Sequence, residues 1–337
     1  MDYLAPWWLP GGNLQTIWPA LFARSVRGAP ITLRRERWRA PDGDFVDADW
    51  LVDEPPASVN AAPGRALLVL FHGLEGSSRS HYAQAFADVA RERGLGFVVP
   101  HFRGCGGEIN EAPRAYHSGD YEEIAWILAH LRARHAGPLL AVGVSLGGNA
   151  LLRWAAEAGS EAARLATVLA AVSSPLDLAA GAQAIGRGFN RQVYTAMFLR
   201  SMKPKALRKL AQHPGLFDRE ALLAARDLRA FDDVFTAPLH GFAGVDDYYA
   251  RASAKPHLRR LRIPALVLNA RNDPFVPADS LPLARDVGPQ TTLWQPAQGG
   301  HVGFPSGAPP AHVRWMPEQV VRWVLLAAGL PDAISGR

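Results

Sequence analysis

From Arg65 onward, short apolar runs alternate with longer stretches in which apolar residues return every three or four positions. The runs ALLVLF, GFVVPHF, LLAVGVS and LATVLAAVSS have the length of buried strands. Between them, SHYAQAFADVARERG, YEEIAWILAHLRARHAG and GGNALLRWAAEAG carry the period of amphipathic helices. Strands alternating with helices predict right-handed crossovers and a parallel sheet covered on both faces. Upstream, residues 32–52 hold two strand-like runs around Pro41-Asp42-Gly43, turn chemistry that predicts a hairpin at one edge and makes the sheet mixed. The rhythm breaks after Pro175. Residues up to about 260 are mostly helical in pattern, rich in Phe and Tyr, and lack a convincing strand. Strand pattern resumes at Pro264–Ala270 and Thr291–Gln295, and the chain closes with a helix over roughly 311 to 328.

The predicted fold class is therefore α/β: a mostly parallel central sheet with helices on both faces and an inserted helical cap. Residues 1–60 form an N-terminal extension and edge hairpin, 61–174 the first part of the core, 175–261 the cap, and 262–337 the second part of the core. The Pro- and Ala-rich stretch from Glu54 to Gly64 is a loop, and no internal repeat or low-complexity segment interrupts the plan.

Composition narrows the function. With 337 residues and 48% hydrophobic content, the chain can bury a large core as one domain with an insertion. A single cysteine, Cys105, excludes an internal disulfide, and no Cys-x-x-Cys pair or His-Glu-x-x-His helix offers metal ligands, so neither metal nor cofactor is expected. A reducing cytosol is the expected home. The start, MDYLAPWWLPGG, lacks the features of a signal peptide, and no run of 18 apolar residues predicts a membrane span. The net charge of +5 is mild and no nucleic-acid-binding signature is present, which argues against a nucleic-acid partner. One local bias stands out: Arg187, Arg191, Arg200, Lys203, Lys205, Arg208 and Lys209 occur with no acidic residue among them. They read as a solvated helix face or as a peripheral contact with anionic lipid.

The chemistry centres on Gly143-Val144-Ser145-Leu146-Gly147, where a strand-like run stops at a serine between glycines and a helical pattern follows. In the Gly-x-Ser-x-Gly elbow the strand turns so sharply that only glycine fits on either side, and the serine hydroxyl stands clear of the backbone. With 31 glycines in the chain, about 0.1 chance matches are expected, so the strand-to-helix context carries the claim. In parallel sheets the reactive groups gather at the carboxyl ends of strands. Asp273 follows the run PALVLNA and precedes a proline-fixed turn, and His301 sits on the glycine loop after the last strand. The order Ser145, Asp273, His301 is that of a serine hydrolase on an open parallel sheet. Asp177, after the strand before the cap, is a rival acid, and Asp273 could be only a turn residue. The amides of Leu74, in HGLEG after ALLVLF, and of Leu146 are the candidate oxyanion donors. His72 reads as a turn histidine and Cys105 as a loop residue. Phe189, Tyr194, Met197, Phe198, Phe231, Phe235 and Phe242 are candidates to line an apolar acyl pocket, ordinary core being the other reading of each.

The motifs PWWLPGGNLQTI, HGLEGSSRSHYA, FRGCGG, YHSGD, GVSLGGN, FDDVFTAPLHGF with DDYY, and NDPFVP agree in order with one family over essentially the whole chain. The chain resembles the YheT-like, embryogenesis-associated-protein branch of the α/β-hydrolases. The resemblance implies a serine esterase or lipase with nucleophile Ser145, acid Asp273 and base His301, acting on carboxylesters, acylglycerols or phospholipids. It departs from the pattern at Asn13, where such proteins often have histidine, and the N-terminal anchoring helix of animal relatives is not expected here. The expected substrate is thus an uncharged carboxylic ester with a short to medium acyl chain, in preference to long-chain membrane lipid. Acyl transfer, thioester cleavage and phospholipid hydrolysis are alternatives on the same triad, and a non-catalytic receptor is disfavoured because all three candidates are intact.

Overall fold

Among the described residues eight strands form one sheet: Leu33–Arg39 (β1), Phe45–Leu51 (β2), Leu67–Phe71 (β3), Gly96–Pro100 (β4), Leu139–Val144 (β5), Val168–Val172 (β6), Ala265–Leu268 (β7) and Thr291–Trp294 (β8). Their order in the sheet is β1-β2-β4-β3-β5-β6-β7-β8. Pairing is parallel from β4 through to β8 and antiparallel at β1-β2 and β2-β4, so the hairpin adds an antiparallel margin to a parallel core. The computed structural model describes residues 3–52 and 64–332; all but the last residue of the Glu54–Gly64 loop lies outside them.

Alternation along the central strands divides the core into two. Leu67, Val69 and Phe71 of β3 join Leu139 and Ala141 of β5 beneath helices Tyr121–Arg134 (α3) and Leu146–Ala158 (α4). Leu68, Leu70, Leu140 and Val142 face the other way, onto Phe86 and Val89 of helix His81–Glu92 (α2) and Val320 and Val324 of helix Trp315–Ala327. Both faces are buried, which is why these strands read as continuous apolar runs. The last helix starts later than its sequence pattern indicates. His312 is held extended by bridges to Arg24 and Ser306, and Val313 N–H donates to Arg24 O at 3.0 Å, so helical bonding begins only at Trp315.

Among the described residues between β6 and β7 there is no strand; the helices include Leu178–Ile185, Ala196–Gln212 and Val245–Ala252. Two stretches, Arg191–Thr195 and Asp232–Thr236, have the wider π geometry. This cap carries its own apolar cluster of Leu199, Ala206, Leu222, Phe231 and Phe235. A further helix, Gly11–Leu21 (α1), was not evident from apolar periodicity. Its stability is tertiary: Gln15, Thr16 and Pro19 are buried and Trp18 Nε1–H donates to Pro310 O at 2.9 Å.

Candidate active site

Ser145 lies between β5 and α4 with φ 53° and ψ −120°. A non-glycine residue there carries strain on the order of 1–3 kcal/mol, which only a well-determined surround maintains. That surround is visible. Ser145 N–H donates to Val172 O at 2.8 Å, extending the β5-β6 ladder, and Gly148 N–H donates to Ser145 O at 3.0 Å. A Cβ on Gly143 would fall 2.5 Å from Gly147 O, and one on Gly147 would fall 2.5 Å from Phe71 O and His72 O. Glycine is therefore required on both sides of Ser145.

Asp273 comes off the end of β7 into a turn that fixes its carboxylate: Oδ1 accepts from Phe275 N–H at 2.8 Å and Val276 N–H at 3.3 Å. The other oxygen, Oδ2, lies 2.9 Å from His301 Nδ1, and His301 Nε2 lies 3.1 Å from Ser145 Oγ. Carboxylate, imidazole and hydroxyl thus form one chain, with the Asp273 side chain fully buried at its far end. Asp177 is elsewhere employed, capping helix Leu178–Ile185 by accepting from Ala180 N–H at 3.1 Å. The Phe275 ring covers the His301 imidazole at 4.1 Å between centroids.

The loop carrying His301 is held by residues that sequence reasoning missed. His301 N–H donates to Thr16 Oγ1 at 2.8 Å, and Gly299 N–H to Gln15 Oε1 at 2.9 Å. Gly300 N–H donates to Asn272 Oδ1 at 3.0 Å, Asn272 Nδ2 to Gln15 Oε1 at 2.9 Å, and Val302 N–H to Ser173 Oγ at 3.0 Å. The signal available in the sequence was the polar pair Gln15-Thr16, close to Asn13, inside an uncharged and mostly apolar stretch.

Leu74 and Leu146 border the same cavity as Ser145 and His301. Leu146 opens α4, so its amide has no acceptor within its own helix and is available to an anion. The loop after β3 comes close to the serine: a Cβ on Gly73 would fall 3.1 Å from Ser145 Cβ. Glu75 follows Leu74 at φ 56°. Its N–H donates to Tyr116 Oη at 3.0 Å, and its carboxylate accepts from Tyr116 O–H and from Lys205 Nζ of the cap, each at 3.0 Å. His72 donates from Nδ1 to Gly73 O and accepts at Nε2 from Phe102 N–H. Complete burial, with His101 nearby, pushes its pKa down to about 3, so it is a neutral turn residue. Burial raises the Cys105 thiol to about 12, which leaves almost no thiolate for nucleophilic chemistry.

The cavity, about 170 Å³, runs from Ser145 and His301 beneath the cap. At about 10–15 Å³ per water-sized group, it takes roughly a dozen non-hydrogen atoms. Phe198, Phe231 and Phe235 line it, as do Leu178, Ile185 and Met202; Phe189, Tyr194, Met197 and Phe242 do not. Phe189 and Met197 instead point to solvent. Polar groups stand in the cap wall. Asp232 accepts from Thr236 and Tyr249 hydroxyls, and burial raises its carboxyl to about 6. Lys209 Nζ donates to Asn110 O and Ala112 O, and burial lowers it to about 8. Among the described residues no cluster of His, Cys, Asp and Glu is arranged to hold a metal, and no helix is long and apolar enough to cross a membrane.

A sequence family described as the alpha/beta hydrolase fold matches residues 66–308. The chain is 41% identical over 316 residues to the putative esterase YheT of Escherichia coli (strain K12), covering 93% of this chain and 89% of that protein. To phospholipase ABHD3 of Mus musculus it is 29% identical over 289 residues, covering 85% of this chain and 70% of that protein. Among solved structures, Est1E from Butyrivibrio proteoclasticus shares the fold, with a TM-score of 0.54 at 14% identity over 89% of this chain and 100% of that one.

Proposed function

The chain belongs to the α/β-hydrolase family, in the branch of the putative esterase YheT, and from that premise we propose that it is a serine esterase acting on uncharged carboxylic esters of short to medium acyl length, acylglycerols included. The observation that carries the reading is the hydrogen-bonded chain from Ser145 Oγ through His301 to Asp273, at the mouth of an apolar cavity. His301 Nε2 takes the Ser145 proton as Oγ attacks the ester carbonyl, and Asp273 holds the imidazole tautomer and stabilises its cationic form. Amides of Leu74 and Leu146 donate to the oxyanion of the tetrahedral intermediate; loss of one such donor costs about 3 kcal/mol in comparable enzymes. Collapse expels the alcohol with the proton from His301. Water, activated by the same imidazole, then releases the acid and restores Ser145.

In this reading residues 175–261 are the cap and determine which acyl groups enter, while the core parts at 61–174 and 262–337 carry the chemistry. The lone Cys105 is in keeping with work in a reducing cytosol. Likeness to phospholipase ABHD3 supports a second reading, hydrolysis of phospholipid by the same serine. A panel of p-nitrophenyl esters, monoacylglycerols and phospholipids, run beside Ser145→Ala and with fluorophosphonate labelling, tests both. One label on the native protein and none on Ser145→Ala is expected. Equal labelling of the two overturns the nucleophile assignment, and a clear preference for long-chain phospholipid replaces the first reading with the second.

A further inference from the structure

We propose that the rim of the site formed by the N-terminal turn and the start of the cap is a docking surface for an anionic lipid bilayer. Trp7 is 91% and Leu4 83% exposed. On the cap, Phe189, Val193 and Met197 recur at four-residue spacing and are all exposed, whereas Tyr194 and Leu199 of the same stretch are buried. Side chains this apolar on the outer face of a segment whose other face is already packed contribute nothing to the core, and a cluster of them marks a contact surface. Arg187, Arg191 and Arg200 stand exposed among them. The charge is one-sided: residues 178–217 contain no Asp or Glu, and neither do residues 3–33.

The two exposed clusters are joined to each other and to the catalytic groups. Phe189 packs edge-on against Tyr194, whose hydroxyl donates to Asn13 Oδ1 at 2.9 Å, and Asn13 precedes the exposed Leu14. Tyr194 packs on Phe275 at 4.6 Å between centroids, and Phe275 covers His301. On the other side, Leu9, in the turn bearing Trp7, accepts from Gln15 Nε2, the side chain whose Oε1 holds Gly299 of the His301 loop. The rim thus combines protruding aromatic and aliphatic side chains with arginines, on two segments, 3–33 and 178–217, that hold no acid of their own. Such a rim suits the headgroup region, where apolar tips enter the acyl boundary and cations meet anionic phosphates without a shaped partner groove. Docking of this kind is reversible and needs no spanning helix. The proposal rests on the esterase reading and narrows its substrate to esters that partition into membranes, entering the cavity from the lipid side.

Sedimentation with phosphatidylcholine vesicles, with and without phosphatidylglycerol, tests it at low and high salt. Ser145→Ala protein is used so that binding is read without turnover. Binding is expected only to the anionic vesicles and should fall with salt as the attraction is screened. Replacing Arg187, Arg191 and Arg200 together by Gln should weaken it roughly a hundredfold, at about fivefold per arginine. The triple change Trp7→Ser, Phe189→Ser and Met197→Ser should weaken it at least tenfold. None of these side chains lines the cavity, so in the Ser145 background both variants should cleave a water-soluble p-nitrophenyl ester at the native rate, which also shows that they fold. No binding at low salt, equal binding to neutral vesicles, or unaltered binding by the two triple variants overturns the docking surface. Retention on vesicles without any Ser145-dependent hydrolysis would instead overturn the esterase reading.

Discussion

Beneath the cavity, Ser145 stands on strands whose side chains are buried on both faces, in a turn where three glycines pack against backbone at distances no Cβ could occupy. Above it, most of the cap reaches the core through side chains, Lys205 to Glu75, Lys209 to Asn110 O and Ala112 O, Asn190 Nδ2 to Pro274 O, and His240 Nε2 to Ala115 O, and only its last helix packs closely, with Ala252 against Gly119 and Tyr248 Oη accepting from Ser118 N–H. The floor is determined by backbone and close packing, so it tolerates little change in volume. The roof is determined by replaceable side chains over a small apolar cluster, and two of its helical stretches are of π form, a geometry frequent at functional sites. In the proposed reading, chemistry belongs to the floor and selectivity to the roof.

Breaking the floor should have the largest effect. Ser145→Ala is expected to lower kcat on a p-nitrophenyl ester by about 10⁴–10⁶-fold, and Asp273→Asn by about 10⁴-fold, both with an unchanged far-ultraviolet spectrum. Asp177→Asn, which keeps a helix cap of similar strength, should leave kcat within a few-fold. A large loss at Asp177 with little at Asp273 would reverse the assignment of the acid.

The floor was also the more legible part of the sequence, and for the same reason. Leu139–Val144 is buried on both faces, so its strand announces itself as an apolar run, and the glycines around Ser145 are obligatory there. Their places at the ends of strands, taken with chain order, singled out Asp273 and His301, which form one chain with Ser145 through contacts of 2.9 and 3.1 Å. Helix α1 and its role were not legible. Thr16 meets His301 across 285 positions of sequence, and no local period encodes that contact. Nor could the apolar composition of the cap say which aromatics face the cavity: Phe198, Phe231 and Phe235 do, while Phe189 and Met197 face outward. Helix orientation there depends on tertiary packing around Leu199 and Leu222.

Residues that join the N-terminal helix to the floor come next in size. Thr16→Val removes the acceptor for His301 N–H, and Gln15→Leu removes the acceptor shared by Gly299 and Asn272. The first leaves one enclosed donor unpaired and the second leaves two, at about 1–3 kcal/mol per donor. If the helix positions the histidine, kcat should fall about 10- to 100-fold with KM nearly unchanged. A fall in melting temperature with native kcat at lower temperature would reduce these residues to scaffolding.

In the roof, Phe235→Leu should shift selectivity and leave the chemical step intact. Phe235 lines the cavity and packs against Phe217 and Phe231, and leucine keeps the position apolar while enlarging the space. One or two methylenes of pocket volume correspond to about 1–3 kcal/mol of discrimination. The acyl length giving the highest kcat/KM should therefore move upward by one to a few carbons, with the shortest ester within about fivefold of native. An equal loss on every ester length would place Phe235 with the floor and erase the distinction between the two regions.

The smallest expected effect concerns the charge inside the roof. Burial raises the Asp232 carboxyl from its ordinary value of 3.8 to about 6, with the hydroxyls of Thr236 and Tyr249 only partly offsetting the cost of ionising it. Between about pH 4 and 6 the folded protein therefore holds a proton that the unfolded chain has released. Its contribution to stability is complete below about pH 4, declines through that window, and is lost above about 6. Asn at this position carries no such proton. The stability of Asp232→Asn relative to the native protein should then rise between about pH 4 and 6 and stay level at higher pH, by on the order of 1 kcal/mol, because the side chain borders a cavity that water can enter. Urea unfolding of both proteins across this range measures the difference, and groups common to both, such as the buried His72, cancel in it. A pH-independent difference would mean that Asp232 is already ionised in a well-solvated cap wall, and the roof would then be a water-filled polar shell over the apolar floor.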